Sequence, residues 1–218
     1  MEVFRDLTIH GDAERLAKTM DLVERCLTGG WSRDRVIEER LQRLGPRKAV
    51  DYCFACTKEG QRPAANVFLT EKDPGALYVP NIVPRIQHRL AYGQYNALLE
   101  EFYQRFVGPA ADQTGAVAEL TGNQADLDHW LSRPAADKLV EFSRGANRGT
   151  GSSHPSDRER WNDFVLAAHR ERSSLDASTL RRWLVEIEGW APEVAEQLAI
   201  EYEYGRELLA FAEGRRSA

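Results

Sequence analysis

The chain has 218 residues, with 29 Lys and Arg against 34 Asp and Glu and a net charge of −5. A hydrophobic share of 42% and a charged share of 29% belong to a folding globular chain, not to a disordered one. The acidic balance, with no long run of Lys or Arg, argues against a nucleic-acid partner, because phosphate affinity rests on clustered cations.

In chain order, Val3, Leu7 and Ile9 alternate with Phe4, Asp6 and Thr8, which predicts a strand with one wetter face. Asp12 is a suitable cap for a helix whose Leu16, Met20, Val23 and Leu27 recur at helical spacing, and Gly29-Gly30 stops it. Ser32 to Leu44 reads as a second, highly charged helix ended by Gly45-Pro46. Three strand-like runs follow: Val50 to Thr57, Ala65 to Thr70 and Leu77 to Val83. The turns Lys58-Glu59-Gly60 and Asp73-Pro74-Gly75 separate them, predicting an antiparallel meander. Pro80 lacks the N–H a ladder needs, so the last run is expected at a sheet edge or to end early. After Pro84 a long helix is predicted, with Ile86, Leu90, Leu98, Phe102 and Phe106 on one face and Gly108-Pro109 as its close. Ala116 to Thr121 is a short final strand.

Beyond Gly122 the periodicity is helical throughout. Pro134 suits a first helical position, with Leu139 and Phe142 turned inward. Ser156-Asp157-Arg158-Glu159 has the capping-box form, and Trp161, Phe164, Val165 and Ala168 make the stripe behind it. Leu180, Trp183, Leu184 and Ile187 mark another helix. Pro192 opens the last, with Val194, Leu198, Tyr202, Gly205, Leu208 and Leu209 as its inner face. Four of the five Trp fall in this part, where large aromatics cement helix packing. The expected fold class is α+β: a small, mostly antiparallel sheet packed with helices over residues 1–122, then an all-helical part over 123–218. The two are separate or share one core.

No run approaches the roughly 18 apolar residues of a membrane-spanning helix. The first ten residues lack the cationic leader and apolar run of a signal peptide, and three Cys make no disulfide framework. A cytoplasmic location without membrane partners is the expectation. Cys53-Phe54-Ala55-Cys56 has C-x-x-C spacing, but no second ligand pair accompanies it, and in a strand residues three apart face opposite ways. Buried structural cysteines are expected. His10, His88, His129, His154 and His169 make no metal-binding pattern, so neither metal nor cofactor is expected. Glu38-Glu39 and Glu100-Glu101 are carboxylates of the kind that serve acid–base chemistry or simply solvate a helix.

The stretch 144–157, with its centre at Asn147–His154, is longer and more polar than two helices need between them. Gly145, Gly149 and Gly151 would let backbone amides approach an anion, and the next helix would turn its positive N-terminus there. Arg144, Arg148 and Arg160 would hold a phosphate-bearing ligand, aided by Asn147, Thr150, Ser152 and Ser153, with His154 as proton carrier. The plain alternative is a polar linker whose Ser156 caps the next helix. The Arg148-x5-His154 spacing is similar to that of the HEPN ribonuclease motif, which would imply RNA cleavage. Gly149 replaces the polar residue expected after the Arg, and Gly149, Thr150 and Gly151 are poor helix formers, so that motif is not adopted.

No complete catalytic constellation emerges, which leans against an enzyme. The expected function is a non-catalytic protein-interaction factor of immunity, defence or regulatory type, whose acidic face suits a basic protein partner. The alternative is a small-molecule or nucleotide-phosphate binder built on 144–157, enzymatic if His154 moves a proton. A nuclease using His154 is a third reading.

Overall fold

The computed structural model describes residues 1–44, 52–86 and 89–216. Its contacts divide them into two units, Glu2–Asn123 and Gln124–Ala218, the latter taking in Met1.

The first unit holds a six-stranded, wholly antiparallel sheet in the order β2-β3-β4-β5-β1-β6. The strands are β1 (Leu7–His10), β2 (Trp31–Arg33), β3 (Tyr52–Cys56), β4 (Ala65–Asp73), β5 (Ala76–Pro84) and β6 (Val117–Leu120). The meander β3-β4-β5 forms as its turn residues predict. Asp12 caps α1 (Ala13–Cys26) by accepting the Arg15 N–H, and Leu16, Met20 and Val23 of that helix are buried.

Four expectations for this unit change. Ser32 does not start a helix, because Trp31–Arg33 is a strand paired with Cys56, Ala55 and Phe54, and α2 runs only from Arg35 to Leu44. A three-residue strand is too short for its period to show, and its pairing is entirely non-local. Pro80 sits inside β5, an interior strand. The register between β4 and β5 shifts there, from Phe68↔Asn81 to Thr70↔Tyr78, while pairing with β1 ends at Tyr78. The irregularity removes the demand for the missing N–H. The long helix begins at Tyr92 rather than after Pro84: Ile86 lies outside it and is exposed, and buried Leu90 precedes it. Nor does Gly108-Pro109 close it. After α3 (Tyr92–Phe102) the chain widens into a π-helical segment, Tyr103–Val107, and continues as α4 (Gly108–Thr114) with Pro109 in its first turn. Gly108 N–H reaches Tyr103 O, and the changed hydrogen-bond register accommodates the proline. Gly45-Pro46, Val50, Asp51 and His88 lie outside the described residues.

Trp31, Phe54, Phe102 and Phe106 form the aromatic centre of this core, with ring centroids 5.1–6.1 Å apart. Cys53 and Cys56 are both buried in β3. Burial, with Asp34 and Glu38 nearby, pushes the Cys53 thiol up to about 12, so it stays protonated and inert.

The second unit is helical, with α5 (Arg133–Gly145), α6 (Pro155–Arg170), α7 (Ala177–Glu186) and α8 (Pro192–Arg216). Ser132 and Asp176 cap α5 and α7 through their side chains. Phe142, Trp161, Phe164, Trp190 and Tyr202 stack into one core, with centroids 4.8–5.6 Å apart. Gly205 lets α8 approach α6 closely, since a Cβ there would stand 3.0 Å from Val165 Cγ1. Two expected core positions turn outward: Ile187, just past α7, is 53% exposed, and Leu208 of α8 is also 53% exposed. No helix of the described residues is long and apolar enough to cross a membrane.

Candidate functional site

The connection 146–154 between α5 and α6 is a folded turn. Asn147 organises it: its carbonyl accepts from Thr150 N and Gly151 N, and its side chain accepts from Gly149 N at 2.8 Å. Gly151 has φ +59°, and a Cβ there would meet Val194 Cγ1 at 3.2 Å, so the turn lies tightly on the start of α8. Ser152, 3% exposed, donates to Glu201 of α8 at 2.6 Å. Ser153 donates to Thr150 O, and Arg158 Nε donates to Ser152 O.

Two of the three predicted anion-binding arginines, Arg148 and Arg160, lie beside carboxylates of the chain. Arg160 pairs with buried Asp157 at 2.6 Å and donates to Gly145 O, while the other Asp157 oxygen accepts from Asn147 N. Arg148 Nη2 lies 3.9 Å from Glu188. Glu188 accepts from Ser143, which in turn accepts from the Trp190 indole N–H at 2.8 Å. Arg144 is exposed in the last turn of α5, where a cation complements the helix dipole. His154, not Ser156, is the N-cap of α6, and its Nδ1 accepts from Ser156 N at 3.3 Å. The capping-box expectation is therefore corrected: the cap and the helix start lie two residues earlier, with Pro155 in the first turn. Asn147, Ser152 and Ser153 are brought into one turn, whereas Arg148 and Arg160 are held by carboxylates of different elements.

The carboxylates read as acid–base groups are ion-pair members. Glu101 Oε1 accepts from Trp31 Nε1 (3.1 Å), Arg62 (2.7 Å) and Arg105 (2.6 Å). Burial alone would raise this carboxyl. The hydrogen bonds from Trp31 and Arg105 and the Arg62 charge outweigh it and hold Glu101 below the ordinary carboxylate value. That shift moves it away from acid–base work near neutrality. Glu38 is buried against Arg33 and accepts the Cys53 N–H, Glu100 pairs with Arg5, and Glu39 with Arg43. Among the described residues, no three His, Cys, Asp or Glu converge as metal ligands.

Comparison with known protein families, curated proteins and solved structures returns no match. The surface of α8 is then the most informative feature. Its inner face buries Ala195, Leu198, Ala199 and Tyr202. Its outer face carries Ile200 (54% exposed), Tyr204 (66%), Leu208 (53%) and Phe211 (61%). At about 100° per residue these four fall within an arc of roughly 80°, one continuous stripe. Singly exposed apolar residues are ordinary, but these four make a continuous apolar patch on one helix face. Its spacings of four, four and three residues are legible in the sequence, but the same helix carries a second, inner stripe, and spacing alone does not say which of the two is covered.

Beside the stripe, a cleft of about 760 Å³ is lined by residues including Asp176, Tyr202, Glu203, Arg206 and Glu207. Arg206 turns to Ser173 O and Leu175 O at 2.9 Å, and His169 pairs with Glu213 at 3.1 Å. Glu203 and Glu207 are exposed.

Proposed function

We propose that the chain is a non-catalytic interaction protein of the cytoplasm that binds another protein through the outer face of α8. The carrying observation is the stripe Ile200, Tyr204, Leu208 and Phe211, more than half exposed at every position. Leaving such a surface in water forfeits the apolar transfer energy that drives association. The part of α8 beyond Tyr202 supports the same reading, because few of its residues have inward packing, and helices in proteins gain most of their stability from packing. A factor of the regulatory, immunity or defence class would hold its partner through a face of this kind.

Pull-down from the native host with the full chain tests the reading. A stoichiometric protein partner that is lost with the double variant L208S/F211S is expected. Recovery of no such protein would remove the proposal. The phosphate reading of 144–157 asks Arg160 to leave buried Asp157, and no observation favours it over that pairing.

A further inference from the structure

We infer that the outer face of α8 receives a basic amphipathic helical segment of the partner protein, with apolar anchors on the Ile200–Phe211 stripe and Lys or Arg against Glu203 and Glu207. This rests on the interaction reading above and adds the chemistry of the occupant. In helical projection Glu196, Glu203 and Glu207 lie together along one edge of the stripe. Glu196 is engaged by Arg181 within the chain, which leaves Glu203 and Glu207 as the exposed acidic edge. On the opposite edge Glu201 is tied to Ser152 and Gln197, and Ala212 carries no charge. Arg215 lies over the Phe211 ring, 4.9 Å from its centroid, and Arg206, next to the acidic edge, is turned to Ser173 O and Leu175 O. Apolar anchors edged by exposed carboxylates suit an amphipathic helix of opposite charge, in which the charged edge selects the partner and the anchors supply affinity.

The same charges argue against the other occupants. In a symmetric antiparallel pair of α8 helices each edge meets itself, which sets Glu203 of one copy against Glu207 of the other. In a symmetric parallel pair the acidic edge meets Glu201 and Ala212, which offer no cation. Like charges facing across an interface disfavour both arrangements. An anionic membrane surface is disfavoured too, since helices that lie on such surfaces are rich in Lys and Arg on the polar face.

The test uses the full chain and a dye-labelled Leu/Lys amphipathic peptide of about 18 residues, long enough to form a helix on binding, followed by fluorescence anisotropy. A peptide of the same composition in scrambled order and a Leu/Glu peptide of the same pattern serve as references. Saturable binding of the Leu/Lys peptide is expected, with little binding of either reference. L208S/F211S should weaken it roughly tenfold or more, as loss of interface anchors does. E203Q/E207Q, which keeps the apolar stripe and guards against a misfolded variant, should weaken it less and flatten its dependence on salt. Equal binding of the scrambled or Leu/Glu peptide, or binding indifferent to both double variants, would overturn the inference. So would a dimer in sedimentation that L208S/F211S dissolves, or binding to phosphatidylserine vesicles that the same variant abolishes. A host partner captured through the stripe but indifferent to E203Q/E207Q would leave the interaction reading standing and defeat this one. If no stripe-dependent partner is recovered at all, the interaction reading itself fails.

Discussion

The turn 146–154 and the outer face of α8 belong to the same helical unit and reverse the usual signs of polarity. The turn is rich in Gly, Ser and Arg, yet it is drawn inward: Ser152 is buried on Glu201, Gly151 sits beneath Val194, and Arg160 and Asp157 clamp its ends. The α8 face is rich in Ile, Tyr, Leu and Phe, yet it stands in solvent. Residue type alone would assign ligand binding to the first and packing to the second. What separates them is whether a group's natural partner is already present in the chain: the turn's polar groups have theirs, and the stripe's apolar groups do not.

Five variants sharpen or break this contrast. Trp161→Ala, in the stacked core behind both regions, should lower unfolding stability by about 3–5 kcal/mol in urea titration, the cost of removing a buried large aromatic. Gly151→Ala should cost about 1–2 kcal/mol, because its left-handed backbone penalises a side chain and the Cβ would press on Val194. An unchanged midpoint would mean the turn is not seated on α8. Ser152→Ala, which removes the donor to Glu201, should cost about 1 kcal/mol, and Ser153→Ala, whose hydroxyl is exposed, distinctly less. L208S/F211S should change stability by no more than about 0.5 kcal/mol per site, as exposed positions do. A large loss there would show that the stripe is packed within the chain and would end its claim as an interface.

The thiols offer an independent check on the other unit. Iodoacetamide at pH 8 should label exposed Cys26 in the folded chain, with Cys53 and Cys56 reacting only on denaturation, as read by intact mass. For Cys53 the cause is burial that keeps the thiol protonated well above that pH.

Much of the fold was legible because it is local. Asp12 as a cap, the Asp73-Pro74-Gly75 turn, the meander, and the Leu139/Phe142 and Trp161/Phe164 stripes depend on periods of two or 3.6 residues and on turn chemistry. The departures are non-local. Strand β2 exists because Trp31 finds Cys56 across the sheet, Pro80 is tolerated because β4 and β5 shift register around it, and Pro109 because the helix widens over Tyr103–Val107. The candidate site was the least legible part. Glycines and arginines at 144–157 look the same whether they await an anion or grip Glu188 and Asp157, and two apolar stripes on α8 cannot be told apart until one is covered.

By itself, the sequence determined the fold class, the order of most elements, the buried aromatic stripes and the absence of a long apolar span, since each follows from local pattern and composition. Tertiary structure alone decided which polar groups found partners and which apolar face did not. Satisfaction and burial are properties of pairs of distant residues, such as Ser152 with Glu201 or Arg160 with Gly145, and no local pattern records them.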